Sequence, residues 1–151
     1  MNDAYLALTL ITGSRKWSAV PVIEDALLEA WYDARQDGYS GITVMHGGAP
    51  GADLIAGAWA RRHQPDGVGH DRRNAAWEHC ADTCPPDPNH RKSRDDYSWC
   101  PTAGHRRNQQ MVDAGPVLCL AFRVGQSTGT GDCIARAQAA GIPVRQYREA
   151  S

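Results

Sequence analysis

An apolar run that gives way to a loop of small residues and then to a helical repeat constrains this chain more than any other feature. Val117 to Phe122 reads as a buried strand, Gly125 to Gly131 supplies Ser, Thr and Gly, and Asp132 starts a periodic segment through Ile134, Ala135, Ala137 and Gln138. Such a loop brings backbone N–H groups and hydroxyls close to an anion, and the next helix adds its unpaired donors and positive dipole end. Ser127, Thr128 and Thr130 are the candidate donors, with Gly129 permitting close approach. The expected guest is a phosphate. Thr130 read as an ordinary helix cap, and Asp132 as a residue complementing the helix dipole, are the structural alternatives.

The same junction recurs upstream. Ile42 to Met45 is a short β-branched run, His46 to Asp53 is a loop rich in glycine, and Leu54 to His63 continues as a helix with Leu54, Ile55, Ala58 and Trp59 on one face. A third junction, Gly13-Ser14-Arg15, follows the strand Tyr5 to Ile11. Three strand–loop–helix junctions place three loops at the carboxyl edge of a parallel sheet, where open α/β sheets bind ligands. Gly13, Ser14, Gly47 and Gly48 would shape the crevice, and the fork of Arg15 suits a phosphate. Asp53 would bond a ribose hydroxyl or cap its own helix. Arg107 and Asn108 open a later helix at the same edge, the first to neutralise a second phosphate and the second to read a base or ribose, whereas Arg106 reads as solvated.

In chain order, Ser18 is expected to cap a first helix running toward Asp37-Gly38, with Pro21 early in it. A weakly marked strand is expected at Val68 to His70, a helix after Gly104 ending at Gly115-Pro116, and a final strand at Ile142 to Tyr147. This alternation gives a Rossmann-like, three-layer α/β/α fold with a mostly parallel sheet. The G-x-G-x-x-G signature is absent after the first strand, which argues against an ordinary nicotinamide dehydrogenase. Trp17 and Phe122 are placed either to stack a base or, as aromatics beside strand ends more often do, in the core.

From Trp77 to Pro101 the periodicity disappears, and a Cys/His-rich loop at about 78–102 reads as an insertion into one domain spanning 1–151. Cys80-x3-Cys84-x5-His90-x9-Cys100 offers three thiolates and one imidazole for a closed, structural Zn2+ site, with His79 and His105 as alternative ligands and free thiols in a flexible loop as the alternative reading. Cys119 and Cys133 read as core thiols. Five cysteines, three of them grouped with histidines, suit a reducing, cytoplasmic compartment more than a disulfide framework. A net charge of −1 gives no basic field for nucleic acid, and no run approaches the roughly 18 apolar residues of a membrane span.

Taken in order, Gly13-Ser14-Arg15 with Trp17, His46-Gly47-Gly48-Ala49 with Gly51-Ala52-Asp53, Ala103-Gly104 with Arg107-Asn108 and Met111, Ala121-Phe122 with Ser127-Thr128-Gly129-Thr130, and Gly141-Ile142-Pro143-Val144 resemble the YspA-like branch of the SLOG superfamily. The resemblance implies a bacterial or phage protein that binds a nucleotide or an NAD- or ADP-ribose-derived ligand as a sensor or sequestering protein. It further implies a homo-oligomer in which a neighbour completes the pocket. Through the more distant Lonely-Guy phosphoribohydrolases it brings an enzymatic alternative, N-glycosidic cleavage of a nucleotide, and through other SLOG relatives a role as a DNA-processing partner. The hydrolases use a glutamate three residues beyond the loop threonine. Here Cys133 holds that position, and Asp132, shorter and one place early, is the nearby carboxylate left for catalysis.

Overall fold

The structure, a computed structural model, describes residues 5–85 and 90–150. Its elements in order are β1 (Leu6–Gly13), α1 (Val20–Gln36), β2 (Gly41–His46), α2 (Ala52–Arg62), a single 3-10 turn at Gln64–Asp66, β3 (Gly69–Arg72), β4 (Lys92–Arg94), β5 (Tyr97–Trp99), α3 (Ala103–Asp113), β6 (Leu118–Val124), α4 (Thr128–Ala139) and β7 (Val144–Glu149). Five strands pair in the order β3-β2-β1-β6-β7, all parallel. The chain therefore winds outward from β1 in one direction, returns, and winds outward in the other. The carboxyl ends of β1 and β6 flank the point of reversal, which is where a doubly wound sheet opens a crevice.

Strand alternation builds the two faces. Ile11, Ile42, Val44, Leu120 and Phe122 pack with Ile23, Leu27, Ala56 and Trp59 of α1 and α2. Leu10, Met45 and Cys119 point to the opposite face, against Met111 and Val112 of α3 and Cys133 and Ala137 of α4. Both faces are covered, which is why the strands read as continuous apolar runs. Trp17 and Phe122 meet edge to face with centroids 5.4 Å apart and are both buried, so they belong to the core and stack no base. Cys119 and Cys133 are fully buried, as core thiols are.

Several local expectations change. Ser18 does not cap α1: its N–H and hydroxyl donate to the Glu149 carboxylate at 2.8 and 2.7 Å, tying the start of α1 to the end of β7, and Ala19 is the N-cap. The last helix starts at Thr128, four residues before Asp132, so most of the small-residue loop is the first helical turn. Gly129 and Gly131 hide that turn from a periodicity reading because they carry no side chain to mark a face. The insertion is not structureless either, since β4 and β5 form a small antiparallel hairpin too short for a period of two to register.

Candidate functional site

A cleft of about 440 Å³ lies at the switch point. Gly13 at the end of β1 with Ser14, Arg15 and Lys16 forms one wall, Val124 at the end of β6 with Gln126 to Thr130 a second, and Gly104, Arg107 and Asn108 of α3 a third. The loops after β1 and β2 can touch only because side chains are missing at two places. A Cβ on Gly13 would sit 2.4 Å from the Ala52 Cβ and 2.8 Å from the Phe122 carbonyl, and one on Gly51, whose φ is +82°, would sit 2.4 Å from the Ser14 carbonyl.

At the second wall, Ser127 is the N-cap of α4, yet its hydroxyl bonds the Thr130 hydroxyl at 2.8 Å and no side chain caps the backbone. The first-turn amides of Thr128, Gly129 and Thr130 have no intrahelical acceptor by geometry, and these residues line the cleft. With Arg15 and Lys16 opposite, this end of the cleft is cationic.

Asp53 supplies the contrast. It is 5% exposed, and its Oδ2 accepts from the amides of Gly47 at 3.1 Å and Ala49 at 3.2 Å, so it shapes the loop from inside. Its Oδ1 is buried with no partner, and the residue lines the cleft. Burial pushes its carboxyl up to about 6, despite the bonds from Ala49 and Gly47 and the nearby charges of Arg107 and Arg15. A buried acceptor without a donor is costly, and a hydroxyl reaching into the cleft would satisfy it.

Other expected site residues are placed differently. The amides of Gly47 and Gly48 are taken by Asp53 and by His46 Nδ1. Both glycines line a neighbouring hollow of about 260 Å³ beside Arg72 and Asn74, outside the main cleft. Arg107 lines the cleft, and its Nη1 donates to the Gly47 carbonyl at 2.7 Å and the Arg73 carbonyl at 3.3 Å, and its Nε to Asn108 Oδ1, so it clamps the second loop. Asn108 is buried and donates to the Gly129 carbonyl and to Asp132 Oδ2, which fixes α3 against the start of α4.

Asp132 is engaged outside the cleft, where it lines the hollow beside Arg136 and Gln109. Its Oδ2 accepts from Arg136 Nε at 2.9 Å and Asn108 Nδ2 at 3.0 Å, and its Oδ1 lies 3.4 Å from His105 Nδ1. Burial raises its carboxyl, but the bonds from Arg136 and Asn108 outweigh this and hold it below the usual carboxylate range. A carboxylate so engaged is a poor proton acceptor at neutral pH. Lys16, Trp77, Pro101, His105 and Gln126 line the cleft without having been expected there. Lys16 follows Arg15 directly and was legible on that ground. Trp77 and Pro101 come from the insertion, whose path no local pattern gives.

The insertion gathers Cys80, Cys84, His90 and Cys100, whose ligand atoms all lie within 4.8 Å of one another. This group could hold a metal ion. Zn–S and Zn–N bonds of about 2.3 and 2.0–2.1 Å at tetrahedral angles imply edges of about 3.8 Å between sulfurs and about 3.5 Å from sulfur to nitrogen. Cys84 Sγ and Cys100 Sγ are 3.8 Å apart, and Cys100 Sγ and His90 Nε2 are 3.5 Å apart. All five cysteines are free. The Ala81 amide donates to Cys84 Sγ, and Arg106 Nη1 reaches Cys84 Sγ at 3.4 Å and Cys100 Sγ at 3.5 Å while its Nη2 holds the His79 carbonyl. Arg106 is therefore part of this knot and not a solvated side chain. His79 stays outside the cluster, and His105 faces Asp132 and the cleft. The Cys100 amide donates to the Trp77 carbonyl at 2.7 Å, so the knot fixes the cleft wall made by Trp77 and Pro101.

The sheet order and the crevice at its switch point define a Rossmann-like α/β protein with a cationic corner in its cleft. The model of the YspA, cpYpsA-related SLOG family matches residues 9–79, the part that carries the first two loops. Gene 61 protein of Mycobacterium phage D29 is 40% identical over 140 residues, covering 91% of this chain and 94% of that protein. The chain belongs to the YspA, cpYpsA-related SLOG family. Among the described residues no helix is long and apolar enough to cross a membrane.

Proposed function

We propose that the cleft takes the phosphorylated ribose of a nucleotide or of an NAD- or ADP-ribose-derived molecule, and that the protein acts by holding this ligand, as a sensor or sequestering protein. One observation carries the reading: the buried, unpartnered Oδ1 of Asp53 shares a cleft with the uncapped first turn of α4 and with Arg15 and Lys16. A phosphate matches the amides and cations, and a hydroxyl matches the carboxylate. A ribose phosphate presents both groups on one small frame. Family membership points toward nucleotide-related ligands as well.

The N-glycosidase reading loses its support with the engagement of Asp132 by Arg136, Asn108 and His105. A DNA-processing role is disfavoured by a net charge of −1. Within the proposal the Cys80–Cys84–His90–Cys100 group holds a structural Zn2+, its four protein ligands leaving no position open for catalysis, and the insertion serves as a fixed lid. Any homo-oligomer would act by supplying a further wall to the cleft.

The test is calorimetric titration with AMP, ADP-ribose and adenosine, with native mass spectrometry of whatever co-purifies. Binding of the phosphorylated compounds, with adenosine at least about tenfold weaker for want of its charge-assisted bonds, is the expected result. Equal affinity for adenosine and AMP, or no binding of any of them, overturns the reading.

A further inference from the structure

A second concavity, of about 510 Å³, lies on the other side of the α4 first turn and shares Gln126, Ser127 and Thr128 with the cleft. Its floor is Arg123 of β6 and Arg148 of β7, which are direct register partners in the parallel sheet. Partnered residues on adjacent strands point to the same face. Here that is the α4 side, because a Cβ on Gly131 would lie 2.9 Å from Arg123 Nη2.

Two like charges in register repel and need a counter-charge. None is present among the described residues: neither arginine is within ion-pair distance of an acidic group there, and Arg123 Nε is buried without an acceptor. Glu149, next in sequence to Arg148, is committed to Ser18. The structure thus holds a buried orphan donor, two unneutralised guanidinium groups and the outer side of an uncapped helix start around one open hollow.

We infer that Arg123 and Arg148 form a second anion subsite, which receives a further phosphoryl group of the ligand whose first phosphate occupies the cleft. The subsite rests on the ligand reading above for its occupant, but not for its chemistry. The guanidinium forks suit phosphoryl oxygens, and the shared Ser127-Thr128 turn lets one ligand straddle it. The ligand class is then narrowed from nucleotides in general to those with at least two phosphoryl groups.

The experiment uses the full, metal-loaded chain. Inorganic phosphate is titrated while the Arg Nε–H signals and the Thr128 to Thr130 amide signals are followed by NMR, and AMP and ADP affinities are compared in the wild type, Arg148→Ala and Arg148→Lys. Arg148 is exposed, so its replacement leaves the fold intact. Phosphate should shift the Arg123 and Arg148 signals, and ADP should bind about tenfold more tightly than AMP through its extra charge-assisted bonds. That preference should nearly vanish in Arg148→Ala and return in part in Arg148→Lys. The subsite is overturned if both arginine signals stay still at phosphate concentrations that saturate the helix amides, or if Arg148→Ala keeps the ADP preference. Arginine signals that respond while AMP fails to bind would sustain the subsite and remove the ribose phosphate reading instead.

Discussion

His46, the last residue of β2, and His70, the second of β3, face each other Nε2 to Nε2 at 2.7 Å, with their rings stacked 4.9 Å apart. The Gly48 amide donates to His46 Nδ1 at 2.9 Å, which makes that nitrogen an acceptor and puts the His46 proton on Nε2. His70 Nε2 must then accept. The pair is neutral in the folded protein, and through Gly48 it sets the path of the second site loop. Burial first, then the repulsion a protonated His46 would meet from a protonated His70 and from Arg72 and Arg61, against the weaker opposing effect of Asp71, lowers His46 to about 4.

This arrangement predicts an acid transition. A histidine whose folded pKa lies below its unfolded value leaves stability intact above about pH 6.5, and loses it as pH falls because the unfolded chain takes up the proton first. Across the window from about 6.5 to 4 the loss from His46 is about 3 kcal/mol. Urea unfolding at several pH values should show the stability difference between the wild type and His46→Phe changing by about this amount across the window, since the Asp53 contribution is common to both. A stability difference that stays constant from about pH 6.5 to 4 would refute the assignment.

Asp53 acts in the opposite sense over nearly the same range. Its folded pKa of about 6 lies above the unfolded 3.8, so its ionisation costs stability as pH rises from about 4 to 6. Asp53→Asn should remove that cost and hold or raise stability at pH 7, yet weaken AMP binding about tenfold through loss of a charged acceptor. Asp132→Asn should change AMP affinity less than about twofold, since Asp132 itself lines a separate hollow and its oxygens are already taken by Arg136, Asn108 and His105. A reversed ranking of these two variants in calorimetry would show that the wrong carboxylate has been placed at the ligand.

The Cys80–Cys84–His90–Cys100 knot, with the zinc proposed for it, predicts a coupled loss. Freshly prepared protein should carry about one equivalent of zinc by elemental analysis, and Cys100→Ser should carry far less. Chelation should lower the melting midpoint by about 5 °C or more, as removal of about 2 kcal/mol from a chain of this size would. AMP affinity should fall with it, because Cys100 holds Trp77 at the cleft wall. Loss of metal without change in either quantity would separate the insertion from the site.

Gly13→Ala tests the contact between the first two loops. The added methyl meets the Ala52 Cβ at 2.4 Å and the Phe122 carbonyl at 2.8 Å, both in buried surroundings with no flexible end to move. A destabilisation of about 2 kcal/mol or more is expected from overpacking, read as a lower urea midpoint. A variant as stable as the wild type would mean that β1 and α2 are further apart than described.

The sequence by itself determined the alternation of strands and helices, the parallel sheet and the glycine-bearing loops at its carboxyl edge, because apolar period and glycine placement act over a few residues at a time. It also supplied the residues of the group that could hold a metal ion, since the donor atoms of Cys80, Cys84, His90 and Cys100 are the same whatever path joins them. Only the tertiary structure decided how each polar group is used. Arg107 and Asn108 look like ligand residues in the chain and are spent on the Gly47 carbonyl and on Asp132, while Asp53, readable as a helix cap, keeps a free buried oxygen at the cleft. Arg123 and Arg148, far apart in sequence, become neighbours through strand register alone. Hydrogen-bond partners come from elements distant along the chain, so no local pattern can say which donors the fold consumes and which it leaves for a guest.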